Sequence, residues 1–388
     1  MASIGFQQIK LSPTEIQFQI RNPSENKATL YFPSMANAIR RTILSDLPNY
    51  LPSRNLMSFQ TCTSMIHQDM LSLRFHLCPI RILSVFENSS DITLFANISN
   101  ETAQIQDVLL KQITIQRKEE QVSPEEFWTN PDILFTRLKP GQKIEFSCPV
   151  EFGSSSSKNA GFQPCAAVRY IFTTKPEEMD SIISTKTFAT PEDELSFRKG
   201  HAEQAIWKNK EEQPMEYQFF MENIGCYPSQ EVIPTALFII GKRFQRMSSL
   251  FTLLLNQKIE FPTIPKQMIV SPYNGTYRAF DITIYNETET TVDHWTQYVR
   301  RDPDVEYVGY RIPHPMDPII VIRIALKQQP TDTMEYVSNC LMKLKEHTEQ
   351  LYSFWETQRE EWWKQCPEKK TPKWDAWMEE IIYQILPQ

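Results

Sequence analysis

Two stretches of this chain repeat apolar residues at alternating spacings of four and three, and no other feature constrains its fold as strongly. The first runs Ile233, Leu237, Ile240, Phe244, Met247, Phe251 and Leu254, and the second Met334, Val337, Leu341, Leu344, Thr348, Leu351 and Trp355. Residues spaced this way line one side of an α-helix and form a seam suited to coiled-coil-like packing. Each seam side chain gains about 1.5–3 kcal/mol on burial, so neither helix is stable bare in water. Either each seam packs on its own sheet, or the two pack on each other. Pro234 conflicts with a first helix beginning at Ser229, which predicts a start at Pro234 or a kink there. In the second seam only Thr348 interrupts the apolar face.

Strand and helix patterns precede both seams. "EYQFFMENIG" leads into the first; "RAFDITIYN", the helical "TTVDHWTQYVRR" and "PIIVIRIAL" lead into the second. Near the N-terminus, Ile16, Phe18 and Ile20 alternate as in a half-buried strand, and "SMANAIRRTILSDLP" (34–48) follows as an amphipathic helix. Ala36, Ile39, Ile43 and Leu47 share its apolar stripe, Ser34 fits an N-cap and Pro48 a stop. Arg40 falls inside the apolar sector and therefore needs a partner. Arg41, on the flank with Asn37 and Ser45, is free to reach one. Between this helix and the strand before the first seam, residues 59–216 alternate as strands in "ITLFANIS", "KIEFSCPVEF" and "AAVRYIF", with a Ser-rich loop, "GSSSSKNAG", at 153–161. The expected fold is α+β: two units of antiparallel sheet plus helices packed as a pseudo-dimer, the first interrupted by a mostly β domain.

The 388 residues carry a formal charge of −7, which gives no electrostatic reason to expect nucleic acid or an anionic membrane as a primary partner. The longest uninterrupted apolar run, "ALFII", is far short of the roughly 20 residues of a membrane span, and the N-terminus lacks a signal-peptide pattern. A soluble intracellular chain is expected. Seven cysteines, none in a paired spacing, point to reduced thiols. Cys62, His67, His76 and Cys78 are spaced too irregularly for a zinc site, so no metal or cofactor is expected. No nucleophile–base or paired-carboxylate signature stands out, and "GSSSSK" lacks the second glycine of a phosphate loop.

Several of these segments resemble a known family. "SMANAIRRTILSDLP" resembles the first-helix motif of the α-like subunits of cellular RNA polymerases, namely the bacterial α subunit and the third-largest-type subunit of the eukaryotic and archaeal enzymes. "QDMLSLRFHLCPI" (68–80) is similar to the family's entry into its inserted domain, matching at Arg74, Leu77 and Pro79, with Leu73 where a histidine is usual and His76 where a glycine is. "NAGFQPCAAVRYIF" resembles the family's His-Ala-Lys-Trp-x-Pro segment; Ala160 and Pro164 are kept, while Asn159, Gly161 and Phe162 replace the histidine, lysine and tryptophan. "YQFFMENIGCYPSQEVIPTALFII" resembles the final strand and helix through Glu222, Gly225 and Pro228. The most specific match, "RRDPDVEYVGYRIPHPMDPIIVIRI" (300–324), resembles the small eleventh-subunit type of RNA polymerase II, in register at Asp302, Pro303, Val305, Gly309, Tyr310, Pro313, His314 and Pro315. Upstream of it, Glu289, Thr290, Thr291, Val292 and Asp293 stand where the family has His-Thr-Leu-Gly-Asn.

The resemblance implies a non-catalytic assembly-platform subunit of a DNA-dependent RNA polymerase, with both α-like partners on one chain as in large cytoplasmic DNA viruses. Fusion would hold the halves at an effective concentration around millimolar. The implied divisions are 1–58 plus 217–257 for the first dimerisation unit, 59–216 for the insert, 258–355 for the second unit and 356–388 for a Trp-rich extension. The implied internal interface comprises Ile39, Ile43, Leu47, Ile240, Phe244, Met247 and Phe251 against Val337, Leu341, Leu344 and Leu351. Arg41, with Arg40 and Asn37, is implied to contact the second-largest subunit. Further implied partners are the largest subunit and small zinc-binding subunits, without sequence-specific nucleic-acid binding, and the implied location is the virion and host cytoplasm. A stand-alone scaffold or transcription-associated protein of the same fold is the alternative. In the tail, Trp374, Trp377, Ile381 and Ile385 share a helix face that either folds back on this chain or docks on a polymerase neighbour.

Overall fold

A computed structural model describes residues 5–22, 32–85, 91–118, 120–210, 212–274, 278–328 and 331–386. Its helices, in chain order, are α1 (Phe32–Ser45), α2 (Gln68–His76), α3 (Pro124–Phe127), α4 (Pro176–Ser184), α5 (Pro191–His201), α6 (Ser229–Asn256), α7 (Glu289–Val299), α8 (Thr333–Gln365) and α9 (Trp374–Ile385). The strands form antiparallel sheets, and the architecture is α+β as expected.

The first sheet orders its strands Gly5–Leu11, Glu15–Arg21, Glu216–Asn223, Cys165–Phe172. Ile16, Phe18 and Ile20 point to its covered face and are fully buried, which is the alternation read from the sequence. The second sheet runs Pro48–Pro52, Lys143–Ser154, Ile92–Ser99, Thr114–Arg117, Glu120–Val122, with Ser58–Cys62 also paired to Lys143–Ser154. The third runs Thr263–Ile264, Met268–Pro272, Phe280–Tyr285, Ile319–Leu326, Val305–Arg311. Among the long-range pairings, Glu15–Arg21 joins Glu216–Asn223, Pro48–Pro52 leaves the N-terminal segment to join the second sheet, and Cys165–Phe172 returns from the 59–216 stretch to join the first.

Neither Ser34 as N-cap nor a helix start at Pro234 holds. α1 begins at Phe32, so Ser34 sits in the first turn and not at the cap, and its hydroxyl is used across the fold as described below. α6 begins at Ser229 and continues through Pro234. Proline has no N–H for the carbonyl four residues back, which is that of Gln230. The Trp362 indole Nε1 of α8 donates to that oxygen at 3.3 Å, so the helix need not end.

α8 extends past the seam to Gln365, and its last turns roof the first sheet: Trp362 stands edge-on to Phe6 and Phe18 at 5.9 and 5.8 Å. α9 then folds back onto α6, burying Trp374, Trp377 and Ile381 on this chain; the side chain of Ile385 lies outside the described residues.

Candidate assembly interface

α6 and α8 pack against each other antiparallel. Position 230 meets 362, Gly241 faces Tyr352–Glu356, and Ser248 donates to Glu349 at 3.1 Å, so partners run down α8 as α6 advances. A Cβ at Gly241 would sit 3.3 Å from Glu356 Oε1 and 3.6 Å from Trp355 Cβ, so the two helices are in close contact there. Ile240, Phe244, Met247 and Phe251 of α6 and Val337, Leu341, Leu344 and Leu351 of α8 are all buried. Met334 leaves the seam and is 42% exposed, because α6 ends before reaching the first turn of α8. Thr348 breaks the apolar pattern for a reason: its hydroxyl accepts from Trp295 Nε1 at 2.9 Å and donates to the Leu344 carbonyl at 2.6 Å. A valine of the same shape would leave a buried indole N–H unpaired.

α1 and α7 complete the contact. Ile39, Ile43 and Leu47 are buried. His294 of α7 meets Ser34 of α1 at 3.1 Å, with Phe244 of α6 and Trp355 of α8 edge-on at 5.9 and 5.5 Å. Burial drives its pKa down to about 3, so the imidazole is neutral at neutral pH.

Beside it lies a buried ionic knot. Arg243 of α6 donates to Glu287, ahead of α7, at 2.6 Å and to Asp46, after α1, at 3.1 Å. Burial opposes the Arg243 charge, and the two carboxylates more than restore it. Arg246 approaches Glu287 at 3.7 Å; burial, only partly offset by Glu287, lowers its pKa. Sequence reading missed Asp46, Arg243 and Glu287. The available signal was the basic "KRFQR" inside an otherwise apolar seam helix; Glu287, in "NETET", carries no periodic cue.

Arg40 and Arg41 diverge as expected. Arg40 is half-buried and finds a neutral partner, directing Nε and Nη2 at Asn37 Oδ1 (3.3 and 2.8 Å). Arg41 is exposed on α1 near Tyr310, whose hydroxyl donates to Glu289 at 3.3 Å. Burial, with Asp293 and Glu289, pushes the Tyr310 pKa up to about 12, and Arg41 pulls the other way. Where the resembled pattern has a glycine, Val292 is fully buried in the first turn of α7, filling the contact with a side chain.

The 302–315 motif divides into anchors and an exposed loop. Asp302 accepts from His347 at 2.7 Å, Lys343 at 3.3 Å and the Asp304 N–H at 2.8 Å. Burial pushes its carboxyl up, but these three donors outweigh that and hold it below the usual range. Pro303 lies in the following turn, and a Cβ at Gly309 would meet the Tyr307 hydroxyl at 2.7 Å. Pro313, His314 and Pro315 are exposed, with no core role.

The four metal-like residues are engaged separately. His67 caps α2, His76 contacts the Pro52 carbonyl at 2.8 Å, and Cys78 donates to the Arg74 carbonyl at 3.3 Å. Burial pushes the Cys78 thiol up to about 12, and Cys62 is half-buried in its strand. Among the described residues no three His, Cys, Asp or Glu side chains converge on a metal position, and no helix is long and apolar enough to cross a membrane.

No curated protein matches the chain. Residues 279–353 match the family model of the RNA polymerase Rpb3/Rpb11 dimerisation domain, a stretch that begins at the strand before α7 and ends within α8. A domain of that type belongs to a non-catalytic polymerase subunit, and with the seam of α8 buried against α6 the match supports an α-like RNA polymerase subunit of the assembly type.

Proposed function

We propose that this chain is the assembly platform of a multisubunit DNA-dependent RNA polymerase and carries both members of an α-like pair in one polypeptide. The first member comprises the first sheet, α1 and α6; the second comprises the third sheet, α7 and α8; the second sheet is an insert in the first. The observation that carries this reading is that the dimerisation-type region 279–353 buries its seam against a helix of the same chain. A second-largest subunit would then dock on the face bearing Arg41, with Asn37 and Arg40 behind it and the exposed Pro313–Pro315 loop on the same chain. The largest subunit and small zinc-binding subunits complete the assembly, and a viral setting, in virion and host cytoplasm, fits the fusion.

The test is co-purification. Arg41 makes no contact that the core needs, so Arg41→Ala should leave the chain folded while weakening recovery of the second-largest subunit several-fold. Undiminished recovery removes Arg41 from the contact. Migration of the native chain apart from any catalytic polymerase subunit on size exclusion overturns the platform and leaves a stand-alone scaffold.

A further inference from the structure

α9 is reached from the end of α8 by a bend at residues 366–373, largely exposed, in which Lys373 takes a left-handed φ of 62°. It lies on α6, the long helix of the first half. Trp374 donates through Nε1 to the Thr235 hydroxyl at 3.0 Å and stands edge-on to Tyr227 at 5.2 Å. Glu379 pairs with Lys242 at 3.0 Å. The catch is at the entry: Glu231, 1% exposed, accepts the Thr371 backbone N–H at 2.7 Å. A carboxyl group hidden this way faces little compensating charge. Lys370 acts on it from the bend, but Lys370 and Arg359 of α8 both pair with Asp375, which adds negative charge, and Tyr227 on the preceding loop is buried and neutral.

We propose that residues 366–386 are a releasable strap on the first half, held while the Glu231 carboxyl is protonated and loosened when it ionises. Its occupant is already seated, since the face of α6 at Thr235 and Lys242 is covered by the chain's own C-terminal helix. Burial is the main cause that pushes the Glu231 pKa up to about 7, with the Thr371 donors acting against it. The N-terminal end of α6 favours a carboxylate there, but by less than about one pH unit, so burial prevails.

The docked state raises the Glu231 pKa above its ordinary 4.5, so docking is tightest below that value and loosens as pH rises toward about 7, then levels off. The fall is at most tenfold per pH unit, on the order of 50-fold between about pH 5 and about pH 8.

Hydrogen exchange of the full chain, corrected for the intrinsic rate at each pH, reads the strap through the amides of α9. The opening equilibrium of α9 should rise on the order of 50-fold from about pH 5 to about pH 8, while that of α6 at Phe244–Phe251 changes little. Glu231→Gln, a neutral isostere, should keep α9 equally protected at both values. Trp374→Ala should release α9 at both values while α8 stays protected through Leu351. Equal opening of wild-type α9 at the two pH values, an unchanged pH dependence in Glu231→Gln, or melting of α8 together with the strap in Trp374→Ala would each overturn the proposal.

Discussion

Replacing Trp362 by phenylalanine should cost more stability than its lost ring volume explains, and the excess should vanish when Pro234 is also changed to alanine. Trp362 is fully buried and does two things: its ring packs edge-on to Phe6 and Phe18, and its N–H serves the Gln230 carbonyl that Pro234 cannot reach. Phenylalanine retains part of the first and none of the second. The packing loss is about 1–3 kcal/mol, and losing the hydrogen bond adds about 0.5–1 kcal/mol, the lower range because 3.3 Å is a long contact. In Pro234→Ala, residue 234 regains an N–H that closes on Gln230 within the helix, making the indole donor redundant.

A double-mutant cycle separates the two contributions, since the packing loss is common to both backgrounds and cancels. A chain with several sheets need not unfold in one step, so the assay is the local opening free energy of α6 and α8 amides by native-state hydrogen exchange, not a global melt. The expected coupling between positions 234 and 362 is about 0.5–1 kcal/mol, with Trp362→Phe milder in the Pro234→Ala background. Additivity within about 0.3 kcal/mol would refute the reasoning and leave Trp362 as packing alone.

His294 makes the four-helix crossing acid-sensitive. Its folded pKa of about 3 lies below the ordinary 6.5, so stability falls as pH drops from 6.5 toward 3, by up to about 5 kcal/mol. His294→Leu should flatten that slope in the local opening free energy of the α1 and α7 amides by hydrogen exchange, at the cost of the Ser34–His294 contact near neutrality; an unchanged slope would locate the acid sensitivity elsewhere. Glu287→Gln leaves Arg243 with Asp46 alone and should destabilise the α1–α6–α7 junction by about 3 kcal/mol in the local opening free energy of its amides by hydrogen exchange. The loss should shrink when Arg243 is also changed to methionine, and equal losses in both backgrounds would show that the pair does not act as a unit.

What could be read from the sequence was what repeats locally. The three-four rhythm identifies both seam helices because a helix returns the same face every three or four residues, and Ile16, Phe18 and Ile20 identify their strand because a strand alternates. Strand Gly5–Leu11 escapes because its register shifts between Gln8 and Lys10, placing Ile9 in solvent and spoiling the alternation. Pairing is harder still, since nothing in "PNYLP" says that its partner is a strand ending at Ser154. The candidate interface divides the same way. Its apolar members were legible from spacing, whereas the knot joins Arg243 to Asp46 and Glu287, which lie 197 and 44 residues away. A charge that pairs only in the folded state leaves no periodic trace.

Four departures from the resembled pattern that look unrelated along the chain meet at one point in space. His76, standing where a glycine is usual, turns Nδ1 to the Pro52 carbonyl at 2.8 Å and Nε2 to Asn159 Oδ1 at 3.2 Å, and packs edge-on to Phe162 at 5.5 Å. Asn159 fixes its own amide by accepting the Gly161 N–H at 2.9 Å, so its oxygen faces the imidazole. A Cβ at Gly161 would lie 3.2 Å from His76 Nε2 and 2.9 Å from Asn159 Oδ1, so a larger residue there would have to push both side chains aside. The imidazole and the glycine therefore fit one another closely, and residues 76, 159, 161 and 162 form one contact at the joint between α2, the Pro48–Pro52 strand and the 153–161 loop.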